Sequence, residues 1–409
     1  MKQESFVLSE PRLHTLNTSV RAVAAEKTLA LIQPYLEQIG VRQIIDITLA
    51  GVPACPAYQI VRDDMRSLYF NAGKGYSNVE SQVSGLMEAI EVHCFERAPA
   101  SLLVEPDAAL RTVACDALCG EQIAASSSSA LIEGYDHSSH ERVLVPAHAV
   151  FHELDGVLTG ASPNGIASGN TRAEAVYHAL GEMLERHALA GFYLSADEKA
   201  TRPAQALERV AAPADAPALQ RCLDQLRAQD MHADFLLLST EAGVAVFICY
   251  LDIPLDADTR GAVQGFGAHP DARIAMARAL AEAVQILALV PSEYGAPADA
   301  SDEQTRVVMT SKQAAMLKPH MVARQRMLDY RSWQTLRATL ELIDFDYMAL
   351  PPPEPGAGPA NIDVALQTLL DNMAAMGWGD VHSCVISPPE LPVTVVKVFC
   401  PGLECVKGL

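Results

Sequence analysis

Residues 84–97 read SGLMEAIEVHCFER. Glu88 and Glu91 stand three apart, so on a helix they share one side about a turn apart. Their neighbours Leu86, Met87 and Ile90 mark a helix with a buried face. Two like charges so placed cost an exposed helix about a few tenths of a kcal/mol. Burial raises that cost steeply unless a cation lies between them.

The pattern occurs three times. GLMEAIE fills 85–91, ALGEMLE 179–185 and ALAEAVQ 279–285. Each has Glu at its fourth position and Glu or Gln at its seventh. The glycine-bearing stretches NAGKGYSN, SPNGIASGNT and GFGAHPD precede them. The copies lie 94 and 100 residues apart (88 to 182, 182 to 282), too far for a solenoid repeat. In a chain with 50 acidic residues, one E-x-x-E is most simply a solvated helix face. Three copies in apolar surroundings, each after a glycine loop, outweigh that reading. They imply three loop-then-helix units converging on one place.

The rest of the chain intermixes helices and strands, which makes the class α+β, or mixed α/β. Helical spacing covers 22–40, 171–193 and 272–290. Strand-like runs are RQIIDITLA, YQIVRDD, RSLYFNA, VLVPAHAVF, FLLLST and VAVFICYLDI. The C-terminal VHSCVISPPELPVTVVKVFCPGLE reads as two strands around a proline-rich turn. GAPADASDEQ (295–304) and PPPEPGAGPA (351–360) read as surface excursions. The expected organisation is an N-terminal helix and strands over 1–68 and a core with the three Glu-rich helices over 69–300. A helical excursion and proline-rich connection follow over 301–361, and strands over 362–409 complete the same domain.

Composition narrows the function. Half the residues are hydrophobic, as in a folded globular protein. Lys plus Arg number 30 and Asp plus Glu 50, a net charge of −20 that disfavours nucleic-acid binding. No run is long and apolar enough for a membrane span, and the N-terminus lacks a signal-peptide core. The nine scattered cysteines read as free thiols, so a cytoplasmic location is expected. A zinc site from Cys115, Cys119, His137 and His140 lacks the usual Cys-x-x-Cys knuckle.

Glu88, Glu91, Glu182, Glu185, Glu282 and Gln285 offer only oxygen donors suited to a hard cation. Mg²⁺ takes such ligands and usually binds substrate phosphates as well. Glycine turns and helix N-termini can add backbone N–H groups. The residues therefore point to an Mg²⁺-nucleotide site built from three helices. GKG is too short for a Walker P-loop, and no G-x-G-x-x-G opens a helix.

In order and context, Ser84-x-x-x-Glu88-x-x-Glu91, Glu182-x-x-Glu185-Arg186 and Glu282-x-x-Gln285 resemble the three motifs of YcaO-domain proteins. The likeness runs from about Arg21 to Glu404. It implies a YcaO-type fold and a chemistry in which ATP and Mg²⁺ activate a backbone amide oxygen of a ribosomally made peptide. A nucleophile then replaces that oxygen. Sulfide gives a thioamide, a Cys, Ser or Thr side chain an azoline, and an amine an amidine.

By the same resemblance, Glu88, Glu91, Glu182, Glu185 and Glu282 organise Mg²⁺, and Glu174 is a candidate to join them. Arg186, Glu185 and Gln285 are the catalytic candidates. Arg21, Thr28, Lys74, Ser168, Asn170, Glu174, Arg186 and Gln285 are the nucleotide-contact candidates. Arg21 and Thr28 equally suit an ordinary helix start, and Lys74 equally suits solvent.

Three departures shape the expectation. His187 stands where the family usually has Asp; a packed histidine is the plain reading and a pH-sensitive one the sharper. The chain stops at CPGLECVKGL, without the Pro-x-Pro-x-Pro tail of many azoline formers. No peptide-clamp domain precedes Arg21. Thioamide formation with a TfuA-like partner is therefore placed ahead of azoline formation with an E1-like, leader-binding partner. Amidine-forming macrocyclisation stays open, as does a nucleotide-binding pseudoenzyme. The expected partners are a precursor peptide and one of those proteins, in a homodimer or hetero-oligomer.

Overall fold

The computed structural model describes residues 13–63, 71–115, 118, 129–195, 207–255, 260–289, 330–348, 359 and 361–404. Helix α1 (Ala25–Ile32) comes first. Strands β1 (Val41–Asp46), β2 (Ala57–Arg62) and β3 (Asn71–Lys74) form an antiparallel sheet in that order. Helix α2 (Asn78–Glu96) leaves β3. Strands β4 (Leu131–Asp136), β5 (Glu141–Pro146) and β6 (Ile166–Gly169) lead to helix α3 (Arg172–Ser195). Then come β7 (Glu208–Val210), α4 (Pro217–Ala228), β8 (His232–Ser239), β9 (Ala245–Pro254), β10 (Arg260–His269) and α5 (Ala272–Leu289). The chain closes with α6 (Tyr330–Thr339), β11 (Leu342–Ile343), α7 (Ile362–Ala375), β12 (His382–Val385) and β13 (Thr394–Phe399).

Two larger sheets complete the core. One is five-stranded, in the order β10-β9-β8-β7-β11. The other is seven-stranded and runs β6-β13-β12-β4-β5, with two short strands added. The three motif helices share one origin. Each follows an edge strand of a different sheet: β3 before α2, β6 before α3, β10 before α5.

The glycines of those strands set how close helix and strand come. A Cβ on Gly73 would lie 1.8 Å from the Ser81 carbonyl oxygen and 2.3 Å from the Gly85 nitrogen. On Gly265 it would lie 2.2 Å from the Ala279 oxygen. Any side chain would force the helix off its strand.

The five-stranded sheet explains the unbroken apolar run in β9. Phe247, Cys249 and Leu251 enter a core shared with α4 and α5. Val246, Ile248 and Tyr250 enter one shared with α3 and α7. With both faces covered, polar alternation disappears. Trp333 of α6 stacks on Tyr250 with ring centroids 3.8 Å apart.

Some elements differ from expectation. The glycine stretches are strand ends followed by short turns rather than loops, because β3, β6 and β10 run into them. VLVPAHAVF is not one strand: β5 ends at Pro146, which has no N–H for the ladder, and a helical turn Ala147–Val150 follows. The 22–40 helix breaks at Ile32, where Gln33–Tyr35 tightens to a 3₁₀ turn around Pro34. Within the expected 301–361 excursion, β11 pairs with β7, and Phe345 and Met348 join the core. The 295–304 excursion lies outside the described residues, and so does 351–360 except Pro359. So do Cys119 and Cys405; Cys55, Cys94, Cys222, Cys249 and Cys384 are buried free thiols. His137 is engaged with Ser383 Oγ at 2.9 Å. Among the described residues, no helix is long and apolar enough to cross a membrane.

Candidate active site

The three strand–helix units interlock in a cycle. Besides its own strand, α2 packs on β6, α3 on β10 and α5 on β3. That cycle turns the carboxylates of all three helices toward one another. Electrostatically they close a ring. Glu88 feels Glu91 and Glu282, Glu91 feels Glu182, Glu182 feels Glu185, and Glu185 feels Glu282.

Glu88, Glu91 and Glu182 are half-buried. Burial first, then Glu91, pushes the Glu88 carboxyl up to about 8, although it accepts the Ala72 backbone N–H. Burial also pushes Glu91 up to about 7, against hydrogen bonds from Ser168. The Ser168 backbone N–H donates to Glu91 Oε1 at 2.8 Å, and its hydroxyl at 2.5 Å. Glu182 and Glu185 are raised as well, again mainly by burial. Glu185, Glu282 and Gln285 are buried, the last two one turn apart on α5.

Cations surround the ring. Lys74 forms an ion pair with Glu282. Arg186 lowers both Glu182 and Glu185, Arg21 lowers Glu91, and Arg278 lowers Glu185. Lys397, buried in β13, lowers Glu182 while donating to the Ser162 and Asn164 carbonyls at 2.6 and 2.5 Å. Lysine and arginine are thus better supplied than the motif segments alone suggest. The carboxyls nonetheless stay raised, so negative charge remains crowded.

Glu174 stands apart from the ring. Fully buried, its carboxylate accepts from Arg21 at 3.1 Å, from the Ala22 N–H at 3.0 Å and from the Asn170 amide at 3.3 Å. Thr28 Oγ1 donates to Asn170 Oδ1 at 2.9 Å. Arg21, Thr28, Asn170 and Glu174 therefore form one network that fastens the N-terminal segment to the turn after β6. Its Arg21 end also approaches the Ser168 carbonyl at 3.5 Å.

Among the described residues, no three His, Cys, Asp or Glu side chains gather closely enough to hold a metal alone. Mg²⁺ takes one or two carboxylates, keeps waters and completes its shell with phosphate oxygens. An oxygen-only donor set, desolvated and short of positive charge, suits such a cation.

A model of the family described as YcaO cyclodehydratase, ATP- and Mg²⁺-binding, matches residues 72–404. The chain belongs to the YcaO family. One relative is described as an uncharacterised protein in the tfuA 3′ region of Rhizobium leguminosarum bv. trifolii. It is 29% identical over 94% of this chain and 88% of its own length. An uncharacterised protein of Methanothermobacter thermautotrophicus is 30% identical over 65% of this chain and 70% of its own length. Among solved structures, YcaO from Methanopyrus kandleri, bound with AMPPCP and Mg²⁺, superposes with a TM-score of 0.68 at 22% identity. It covers 96% of this chain and 94% of that one. A heterocyclase in complex with substrate and cofactor gives 0.67 at 18% identity, over 97% of this chain and 55% of that one. These likenesses establish the mixed α+β YcaO fold.

Within this YcaO chain, His187 is a packed residue. Its Nδ1 accepts the Glu404 N–H at 2.8 Å and its ring meets Trp378 edge-on. Glu96, outside the repeat, is ion-paired and buried, 2.8 Å from the buried Arg62. Arg278 and Lys397 escaped the sequence reading. Lys397 had a signal, a lone charge inside the apolar run VTVVKVF; Arg278 looked like any helix-face arginine.

Proposed function

We propose that this chain activates a backbone amide of a ribosomally made peptide at the expense of ATP, so that a nucleophile replaces the amide oxygen. The carrying observation is the closed ring of Glu88, Glu91, Glu182, Glu185 and Glu282, three helices' worth of buried and half-buried oxygen donors. Mg²⁺-ATP, held on that ring, supplies a phosphoryl group that makes the amide oxygen a leaving group.

The chain's own residues do the positioning. Ser168 fixes Glu91 through two hydrogen bonds. Lys74 and Arg186 sit among the carboxylates, where each can face a phosphate once the metal takes up its partners. Gln285, one turn past Glu282, offers an amide to the same space. The Arg21–Glu174–Asn170–Thr28 network holds the N-terminal segment against the site.

Thioamide formation is the preferred outcome. The relative from a tfuA 3′ region, matched along 94% of this chain, supports that reading. Cyclodehydration to an azoline is the second reading, favoured by the family's description. Reaction with the precursor peptide, ATP, Mg²⁺ and sulfide separates them by intact mass. A gain of about 16 Da means oxygen replaced by sulfur, and a loss of about 18 Da means dehydration. An unchanged mass with ATP bound contradicts both and leaves a nucleotide-binding partner subunit.

A further inference from the structure

Where α2 ends, a recess of ≈ 320 Å³ opens between the turn before β1, the end of β2 and the proline-rich turn that joins β12 to β13. Ligand clefts begin at about 300 Å³, so one amino-acid residue with its flanking amides has room there. Arg62, Cys94 and Glu96 form the buried base, and Gln38, Asp63 and Arg97 the exposed rim. Ile39, Ala98, Pro99 and Pro388 supply apolar walls. None of the ring carboxylates lines it. At about 100° per residue, His93 on the recess side leaves α2 about 140° from Glu88 and about 160° from Glu91. The recess therefore lies across the helix from the ring.

The charges of the recess are already balanced. Arg62 Nη2 donates to Glu96 at 2.8 Å, Asp63 pairs with Arg42, and Arg97 lies 3.8 Å from Glu153. A charged guest would bring one unmatched charge against a buried ion pair. One donor is nevertheless spare. Arg62 Nε gives its proton to the Ile39 carbonyl at 3.1 Å, while Nη1 is buried with no hydrogen-bond partner among the described residues. A spare buried donor calls for an acceptor. Charge balance requires that acceptor to be neutral, and an amide carbonyl is one.

Apolar surface continues beside the recess. Arg97 bridges through its backbone to Glu153, which opens a hairpin of Glu153–Leu154 against Val157–Leu158. Asp155 and Gly156 turn the hairpin with φ of 52° and 78°, both positive as a type I′ turn requires. Val157 and Leu158 are each 66% exposed. Neighbouring strand residues point to opposite faces, so at these positions neither face is covered by the described chain. A small molecule seated in the recess would leave both side chains bare. An extended peptide reaches from recess to hairpin at about 3.3 Å per residue. Its carbonyls are free to accept, whereas most of a folded partner's are already bonded.

We propose that the recess and the hairpin form a docking site for an uncharged, apolar stretch of the precursor peptide, remote from the amide that is activated. One residue seats in the recess, with a carbonyl on Arg62 Nη1 and its side chain against Pro99 and Pro388. Taking the precursor peptide as the guest rests on the amide-activation reading above; the preference for a neutral residue does not. Docking there performs no chemistry. It holds the reacting segment at a high effective concentration near the ring.

The test begins with crystals of the full chain soaked in N-acetyl-leucine N-methylamide, a capped and uncharged residue. Density is expected in the recess with an amide oxygen on Arg62 Nη1, and none from the equally capped glutamate. Arg62→Lys keeps a cation for Glu96 but removes Nη1, and Gln38→Trp crowds the rim from an exposed position. Each should empty the recess. Fluorescence anisotropy of the labelled precursor peptide then reads docking itself. Its Kd should rise at least about tenfold in Gln38→Trp, and again in the double variant Val157→Ser, Leu158→Ser. An empty recess after the soak overturns the proposal, as does equal density from the capped glutamate. An unchanged peptide Kd in Gln38→Trp overturns it too, by giving the recess to another guest. Peptide that docks through the recess but keeps its mass after ATP, Mg²⁺ and sulfide upholds the site and contradicts the amide-activation reading instead.

Discussion

Glu88 carries the sharpest consequence of any residue. A carboxyl whose folded pKa lies above its unfolded value binds more protons when folded. Its contribution to stability is complete at low pH and is lost as pH rises through the folded pKa. For Glu88 that window runs from 4.5 to about 8, and for Glu91 from 4.5 to about 7. The protein without nucleotide should therefore melt lower at pH 8.5 than at pH 7, a window above the 6.5 at which buried, neutral imidazoles such as His178 and His269 make their opposite contribution. Glu88→Gln removes the charge and should narrow that gap while weakening Mg²⁺-AMPPCP binding at least about tenfold, or ~1.4 kcal/mol. Differential scanning calorimetry and isothermal titration check the two halves. A gap as wide in Glu88→Gln as in the wild type would show that Glu88 is not desolvated.

At the level of elements, the strand–helix joint matters most. Gly265 lets α5 lie on β10 with no side chain between them. Gly265→Ala would drive a methyl into the Ala279 carbonyl and push α5 away. The expected cost is about 1–3 kcal/mol in chemical denaturation, as for other overpacked cores. Nucleotide affinity should fall too, although no carboxylate has changed, because Glu282 moves with α5. Unaltered affinity would mean that helix position does not set the site. The repeat was legible in GLMEAIE, ALGEMLE and ALAEAVQ because helical spacing and a glutamate followed three residues on by Glu or Gln lie within seven residues. The strands before them were not. Gly265 and Gly267 lack the β-branched character that marks a strand, and their value lies in contacts with a helix still to come in the chain.

Across the molecule, three sheets each end at a strand that feeds one motif helix, and the helices lock by packing on one another's strands. The α+β class and the convergence of Glu88, Glu91, Glu182, Glu185 and Glu282 could be read from sequence, because each signal is local and repeated. The counter-charges could not. Lys397 comes from a strand near the C-terminus and Arg21 from before α1, and only the closed fold brings them to Glu182 and Glu91. Glu174 illustrates the same limit. The resemblance offered it as a candidate metal ligand from the second motif's context, and only the fold shows that its carboxylate accepts from Arg21, Ala22 and Asn170. The ring's raised carboxyls bear directly on whether it is a cation site. If Mg²⁺-AMPPCP binds there, Glu88 and Glu91 must ionise, and protons must leave. Isothermal titration at pH 7 in buffers of different ionisation enthalpy measures that release. Net release of roughly one to two protons per nucleotide, with affinity rising between pH 6 and pH 8, is the predicted result. Binding with no proton release and no pH dependence would contradict it.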